Sequence, residues 1–483
     1  MDDRLLRPRP AGVTRACGSL NYATQSGRST SAVPVVTSPL SATKSIASSL
    51  EISWKEGIVA AVMYGITEYY VIPYGLFLGA TAQQIGWLVA IPYLLASLSQ
   101  LLAARAVQWV GSRLRFLVAS ASLQAVLLVP MAGLVFWPAA WRMEILLVLM
   151  VGFRVVNNLI VTTWGSLMSD YLPAEKRGGY FGWRSRVVGV AGVFGMMCGG
   201  LLLFTTKASH AAMGFCLLFL VAALCRGISA ALLSRMADLP MHHTPEDEFT
   251  FLMFVRRFRE SNFVRFVVYV ASITFATFLA APYFSVYMLR DLHWNYLMYM
   301  AVHLAGVLAS LVAFPIWGRH ADVVGNANIL KITSLLLPLI PLGWLVSRNP
   351  VYLMSVEFFS GFVWGGFNLC ATNFIYDSVS PSKRVRCLGY FTVINGVAMC
   401  AGAFLGGILA ERIAPVAGFR LLSVFLLSGL LRFAAHFVLS RHFQEVRDSA
   451  RAVSSRELFF SVIGVRPLAG LHRESSSPVL SVD

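Results

Sequence analysis

Long apolar runs separated by short polar connections follow one another along most of the chain. A run of about 20 apolar residues is what an α-helix needs to cross the hydrocarbon core of a bilayer. The pattern predicts an all-α membrane protein with twelve transmembrane helices. They are predicted at residues 56–79, 85–107, 115–137, 143–168, 187–206, 212–234, 266–288, 295–317, 329–347, 350–376, 388–409 and 418–440.

A polar motif between the fourth and fifth predicted helices recurs between the tenth and eleventh. The first copy contains Asp170 and Arg177, and the second contains Asp377 and Arg384, each with a proline between the acid and the base. Repetition at a distance of about two hundred residues indicates two homologous halves rather than an array of short units. A membrane protein of two similar halves usually has its working site where they meet.

The halves and the polar segments around them define five predicted regions. They are a disordered cytoplasmic N-terminal tail at 1–50, a six-helix bundle at 51–235, a cytoplasmic linker with an amphipathic helix at 236–265, a second six-helix bundle at 266–440, and a cytoplasmic tail at 441–483. The first region is rich in Ser, Thr, Arg and Pro, which also fits an organellar transit peptide.

Charge gives the orientation. The chain has 483 residues, of which 57% are hydrophobic and 13% charged, with a formal net charge of +16. Basic residues concentrate in the connections on one side, so the positive-inside rule places both termini in the cytoplasm, and we expect a plasma-membrane protein. The basic residues are scattered over short loops without a recognition motif, which argues against a nucleic-acid partner. The seven cysteines have no metal-binding spacing, so we expect no metal or other cofactor.

One loop carries a family resemblance. The stretch with Gly318, Asp322 and Gly325 resembles the Gly-x-Leu-Ala-Asp-Arg-x-Gly pattern of the major facilitator superfamily, whereas the first half has Gln108 in place of the aspartate. The resemblance covers about residues 55–440 and implies two six-helix bundles around a central cavity. We predict that Asp322 forms a latch with a base after the tenth helix. The candidates are Arg384 and Arg386, and the alternative is a charge that only marks topology.

The family's proton antiporters carry a Gly-Pro pair in the fifth helix. Here Met196 and Ala403 occupy the proline position in the fifth and eleventh helices. The surrounding small residues then favour close helix packing, and the departure weakens a drug/proton antiporter assignment.

Charged side chains inside membrane spans are costly, so each is a functional candidate. Glu68 lies midway along the first helix and Arg154 midway along the fourth, at similar depth, and we predict that they pair. The resemblance places both helices along the cavity. Three roles stay open: Glu68 exchanges a proton, Arg154 binds an anionic solute, or the pair is static. The substrate or coupling set also includes Tyr64, Asn157 and Asn158.

The second half offers fewer candidates. Glu357 on the tenth helix is either a second cavity acid or a residue near the outer headgroups. Trp364 and Asn368 lie on roughly its face and are candidates to stack on and hydrogen-bond a small organic solute, with packing as the alternative for the tryptophan. Arg226 and Arg432 occupy equivalent places in the sixth and twelfth helices, where we expect them to reach toward the cytoplasm.

The sequence therefore predicts a secondary active transporter of a small organic solute that works as a monomer by alternating access, with protons as a candidate coupling ion. Within transporters, efflux of hydrophobic compounds is an alternative. A receptor or scaffold without transport is another. The spans lack a cluster of catalytic residues and the chain lacks a phosphate-binding loop, so an enzyme or an ATP-driven pump is not expected.

Overall fold

The computed structural model describes residues 39–206, 210–239 and 261–447 together with Glu457 and Ser461, and for 39–45, 174–175 and 381–385 it describes the backbone. Twelve long helices follow one another in these residues. They are α1 Pro39–Phe77, α2 Ala82–Val110, α3 Arg113–Gly133, α4 Arg142–Tyr171, α5 Ala174–Thr205, α6 Ala211–Leu233, α7 Asn262–Asp291, α8 Tyr296–Val324, α9 Asn326–Gly343, α10 Pro350–Ser378, α11 Pro381–Arg412 and α12 Arg420–Leu439.

Three of these helices are interrupted. α2 contains a 3-10 turn at Gln100–Leu102. α7 breaks after Phe278, resumes at Ala281, and ends in a π-helical turn. α9 breaks after Leu336. Pro282 and Pro338 lie at the last two breaks. Each proline interrupts the helix because it lacks the backbone N–H that an unbroken helix needs.

Ten of the twelve helices, within the described ranges, are long and apolar enough to cross a membrane. The other two, α1 and α10, carry Glu68 and Glu357. With 39 and 29 residues they are still long enough, at about 1.5 Å per residue, for a hydrocarbon core of about 30 Å. Apolar side chains cover the outside: Val126, Val148 and Leu224 are 64%, 69% and 64% exposed. Such a surface suits contact with lipid.

The helices pack as two similar halves, α1–α6 and α7–α12. In the first half α3 packs on α4 and α6, and in the second half α7 packs on α11 and α12 while α8 packs on α10. Across the halves, α2 packs on α11 and α5 packs on α8. These two contacts are equivalent when the halves are exchanged.

Several helices extend beyond their predicted ends. α1 begins at Pro39 rather than 56, α5 at Ala174 rather than 187, and α11 at Pro381 rather than 388. The apolar run reveals only the part of a helix inside the bilayer, while its polar turns continue into the headgroups and water. The duplicated motif is therefore two helix ends joined by residues 172–173 or 379–380, not a loop.

Parts of the predicted tails and linker lie outside the described residues. These parts are 1–38, 240–260, and most of 448–483. They include most of the amphipathic helix predicted in the linker, and the stretch assigned to the linker at 262–265 belongs to α7.

Candidate functional site

Glu68 and Arg154 form the predicted ion pair. Nη2 of Arg154 lies 2.7 Å from Oε2 of Glu68. Tyr93 on α2 donates a hydrogen bond of 3.1 Å to the other carboxylate oxygen, and its ring centroid lies 4.7 Å from Cζ of Arg154. The Arg154 side chain is 16% exposed and the Glu68 side chain 44%. The cation is thus enclosed by the anion and an aromatic face, while the carboxylate stays accessible.

This cluster lies at the boundary between the halves. The ring of Tyr93 meets Phe278 of α7 edge-on at 5.9 Å. Next to Glu68, the backbone carbonyl of Tyr69 accepts a hydrogen bond of 2.7 Å from the Tyr299 hydroxyl of α8. A change in the position of one half relative to the other therefore changes the surroundings of Glu68.

The residues that follow Arg154 connect helices. Asn157 accepts a short hydrogen bond from the Tyr64 hydroxyl of α1. Asn158 donates one of 2.6 Å to the carbonyl of Ala96 on α2. The structure thus brings Tyr64 and both asparagines together around Arg154. These bonds tie α4 to its neighbours, and a direct contact with a solute stays a prediction.

Glu357 lies apart from the pair. It is part-buried, and a Cβ atom placed on Gly306 of α8 would lie 3.3 Å from its Oε1. The structure thus places Glu357 against α8, the helix whose Tyr299 bonds to the backbone carbonyl of Tyr69 beside Glu68.

Trp364 and Asn368 follow on the same helix. Trp364 packs edge-on against Phe367 at 5.5 Å, and the Asn368 side chain is exposed. Their role in binding a solute stays a prediction.

The expectation that Arg226 and Arg432 reach toward the cytoplasm is wrong. Both side chains are 1% exposed. Arg226 donates to Gln124 at 2.8 Å and lies 3.6 Å from Glu56 of α1, and Arg432 donates to the carbonyl of Leu337 at 3.0 Å. Partners inside each half offset the cost of burial that would otherwise drive an arginine to the surface.

The halves meet closely at the predicted outer end. There the backbone N–H of Gln83 donates to Oε1 of Glu411 at 3.0 Å. A Cβ atom on Gly86 would lie 2.5 Å from the Tyr283 hydroxyl and 2.7 Å from the carbonyl oxygen of Ala403. α2 thus approaches α11 to backbone distance.

At the opposite end, the duplicated aspartates bind within their own halves. Asp170 pairs with Arg113 at 2.6 Å, and Asp377 accepts a hydrogen bond of 2.8 Å from Asn326. Arg113 and Asn326 are the first residues of α3 and α9, so the two contacts are equivalent. Arg177 instead donates to the carbonyls of Ser169 and Leu172 at the end of α4, where helical carbonyls lack internal partners. The Arg384 side chain lies outside the described ones.

The segment 442–447, which we call the strap, is docked on the second half rather than forming a free polar tail. Phe443 is 0% exposed and packs against Phe266 and Tyr269, with ring centroids at 6.0 and 4.9 Å. Glu445 accepts a hydrogen bond of 2.7 Å from the N–H of Ala327 at the start of α9. Its carboxylate occupies the space beside Gly325, whose φ of +86° and missing side chain make the contact possible.

Arg447 of the strap is the partner that the structure gives to Asp322. Its Nη1 lies 3.5 Å from Asp322 and its Nε lies 2.8 Å from Asp377. Burial lowers the pKa of Arg447, but the hydrogen bond and charge of Asp377, together with the charge of Asp322, raise it overall. Arg447 therefore stays charged. The latch from Asp322 to Arg384 or Arg386 stays a prediction, and Gly318 packs near Leu369 of α10.

Sequence reasoning missed several of these residues. Gln124 lies inside an apolar stretch, but the rule that singled out Glu68 considers charged side chains only. Glu56 is charged, but it is the first residue of the first predicted helix, where a charge does not stand out. Tyr93 and Phe443 carry no such signal, because an aromatic residue in an apolar run usually packs in the core. Within the described part of the chain, no group of three or more His, Cys, Asp or Glu residues is placed to hold a metal ion.

Comparison with known proteins identifies the family. A family model described as Major Facilitator Superfamily matches residues 56–375 and 266–478. The chain is 29% identical over 167 residues to the multi-drug resistance efflux pump PmrA of Streptococcus pneumoniae, and 28% identical over 176 residues to a PmrA homolog of Lactococcus lactis. These stretches cover 34% and 36% of this chain, and 40% and 41% of the relatives.

Solved structures share the fold at low identity. The nucleoside transporter NupG superposes with a TM-score of 0.63 at 14% identity, over 82% of this chain and 99% of that protein. A D-xylose-proton symporter superposes with a TM-score of 0.67 at 11% identity, over 84% of this chain and 100% of that protein. The all-α architecture in two six-helix bundles is thereby confirmed.

Proposed function

Because this chain belongs to the Major Facilitator Superfamily, we propose that it is a secondary active transporter of a small organic solute, with Glu68 as the site that couples transport to protons. It is a multi-pass membrane protein. We further propose that it acts as a monomer, without enzymatic activity, in the plasma membrane with both termini in the cytoplasm.

The Glu68–Arg154–Tyr93 cluster carries this proposal. A carboxylate inside a membrane span is costly unless it is paired or hydrated. Glu68 keeps an accessible side chain although both of its oxygens contact donors. Uptake of a proton by Glu68 would release Arg154 from its charge partner. Arg154 would then be free to bind a polar or anionic group of the solute.

The contacts between the halves support alternating access. The Gln83–Glu411 hydrogen bond and the approach at Gly86 close the predicted outer end. The ion pairs Arg113–Asp170 and Arg447–Asp377 at the other end each stay within one half. This arrangement suits a state that is closed outside and opens inward when the halves rock about the central cluster.

Efflux of hydrophobic compounds is the second candidate. It is favoured by the partial similarity to PmrA pumps. The polar cluster at Glu68 and the missing prolines beside Gly195 and Gly402 favour the first candidate.

Transport by the purified chain in liposomes tests both. Uridine, D-xylose and the cationic dye ethidium are supplied in turn across an imposed pH gradient, while a trapped pH-sensitive dye reports proton movement. We expect uridine or D-xylose to move together with protons. Movement of ethidium alone would favour the efflux candidate, and movement of none would favour a receptor or scaffold.

Glu68→Gln tests the coupling site. The amide keeps the shape of the side chain but cannot exchange a proton, so we expect solute-linked proton movement to fall at least about tenfold and the transport rate to lose its pH dependence. Glu144→Gln, an exposed acid in the first turn of α4, is the control and should leave both unchanged. A Glu68→Gln protein with the wild-type pH profile would exclude the proton role.

A further inference from the structure

A second buried polar group lies in the first half, nearer the predicted cytoplasmic end. Arg226, Glu56, Gln124 and Ser229 are between 0% and 4% exposed. Nη1 of Arg226 donates to the Ser229 hydroxyl at 2.8 Å, and that hydroxyl donates to Oε1 of Glu56 at 2.7 Å. Glu56 and Ser229 thereby fix the arginine in one place, because a buried guanidinium without its anion would be very unfavourable.

Gln124 connects this group to the helix that carries Arg154. Its Oε1 accepts from Nε of Arg226 at 2.8 Å, and its Nε2 donates to the backbone carbonyl of Phe153 at 3.2 Å. Only one orientation of the amide satisfies both neighbours, because arginine can only donate and a carbonyl can only accept. The position of Arg226 is therefore transmitted to the residue immediately before Arg154.

Tyr64 makes a second connection. Its ring centroid lies 6.0 Å from Cζ of Arg226, and its hydroxyl donates to Asn157. Phe153 and Asn157 are four residues apart and so lie on one face of α4, with Arg154 between them in sequence. The turn that presents Arg154 is thus held at both of its ends by groups that contact Arg226.

We propose that Arg226 is a positioning residue that, through Gln124 and Tyr64, holds Arg154 in the orientation that pairs with Glu68. This inference rests on the proposed function for its transport consequences, but the geometry it describes is independent of the solute. Arg226 acts on α1 through Glu56 and Tyr64 and on α4 through Gln124, so its effect on the Glu68–Arg154 pair passes through these two helices.

A double-mutant cycle on transport tests the proposal. Gln124→Leu removes both hydrogen bonds at nearly constant volume, and it is measured with and without Glu68→Gln. We expect it to lower the maximal rate about tenfold and to flatten the pH profile in the wild-type background, but to change the rate by less than about twofold beside Glu68→Gln. Arg432→Met, the equivalent buried arginine of the other half, is the control and should give the same fold loss in both backgrounds.

A thermal cycle separates this inference from the proposed function. The shifts in Tm caused by Gln124→Leu and Arg154→Gln should not add in the double variant, whereas those of Arg432→Met and Arg154→Gln should add. Tyr64→Phe removes a single hydroxyl and should repeat the Gln124→Leu result if the latter folds poorly. If the Tm shifts of Gln124→Leu and of Tyr64→Phe were each additive with the shift of Arg154→Gln, the proposal would be overturned whether or not transport is found. The proposal would also be overturned if Gln124→Leu lowered the transport rate by the same factor with and without Glu68→Gln.

Discussion

Phe443→Ala is expected to release the strap from the second half, whereas Arg447→Gln is expected only to loosen it. Phe443 is fully buried among Phe266, Tyr269 and Phe374. Removing a buried aromatic side chain costs about 3–5 kcal/mol, and each 1.4 kcal/mol is about tenfold in an equilibrium. The population of the undocked strap should therefore rise by a factor of about 10² to 4 × 10³, up to full undocking.

Arg447 holds the strap by charge at a less buried place. The side chains of Arg447 and Asp377 are 32% and 23% exposed, and Asp322 is 78% exposed. Exposed ion pairs contribute about 0.2–1 kcal/mol. Because Asp377 is closer to Arg447 and less exposed than Asp322, its pair should account for nearly all of the docking free energy that Arg447→Gln removes. We expect Arg447→Gln to raise the undocked population about fivefold, and Asp322→Asn less than about twofold.

Hydrogen exchange measured by mass spectrometry on residues 441–447 reports these populations, because the backbone N–H of Gln444 donates to the Asn262 side chain of α7 only while the strap is docked. Val446→Ala, at a 38% exposed position, is the apolar control and should change little. If Arg447→Gln opened the strap as much as Phe443→Ala, the assignment of Phe443 as the anchor would be refuted.

Three further predictions concern the helix contacts and the central cluster. Gly361→Ala would place a Cβ atom onto the backbone carbonyl of Gly306, so we expect a lower Tm in detergent, whereas Gly389→Ala, with open space around it, should be neutral. Gly86→Ala should hold α2 away from α11 and favour opening at the predicted outer end, which spin-label distances across that end would report; unchanged distances would contradict it. Tyr93→Phe keeps the ring beneath Arg154 but removes the hydrogen bond to Glu68, so the transport rate should fall about two- to tenfold, and a larger loss would mean that the hydroxyl contacts the solute.

The sequence was a good guide where apolar length and the depth of a charge within its span determine the outcome. The apolar runs located the helices, and the similar depths of Glu68 and Arg154 predicted their pair. It failed where a distant segment supplies the partner. Arg226 was expected to reach toward the cytoplasm because its partner Glu56, 170 positions away in the chain, cannot be recognised from the sequence of its own helix. The strap was missed for the same reason, since a short polar segment with one phenylalanine gives no sign of the pocket that receives it.

The close approach of α2 and α11 has a consequence for the energetics of a moving protein. At Gly86 and Gly407 the surfaces that meet are made largely of backbone, with Ala82, Gln83, Ala403 and the Tyr283 hydroxyl as neighbours. Long side chains that interlock would have to lose and regain rotamer freedom each time the halves separate and rejoin. A contact made mainly of backbone avoids this entropy change. Separation and closure at this contact therefore proceed without that cost, which suits the proposed alternating access.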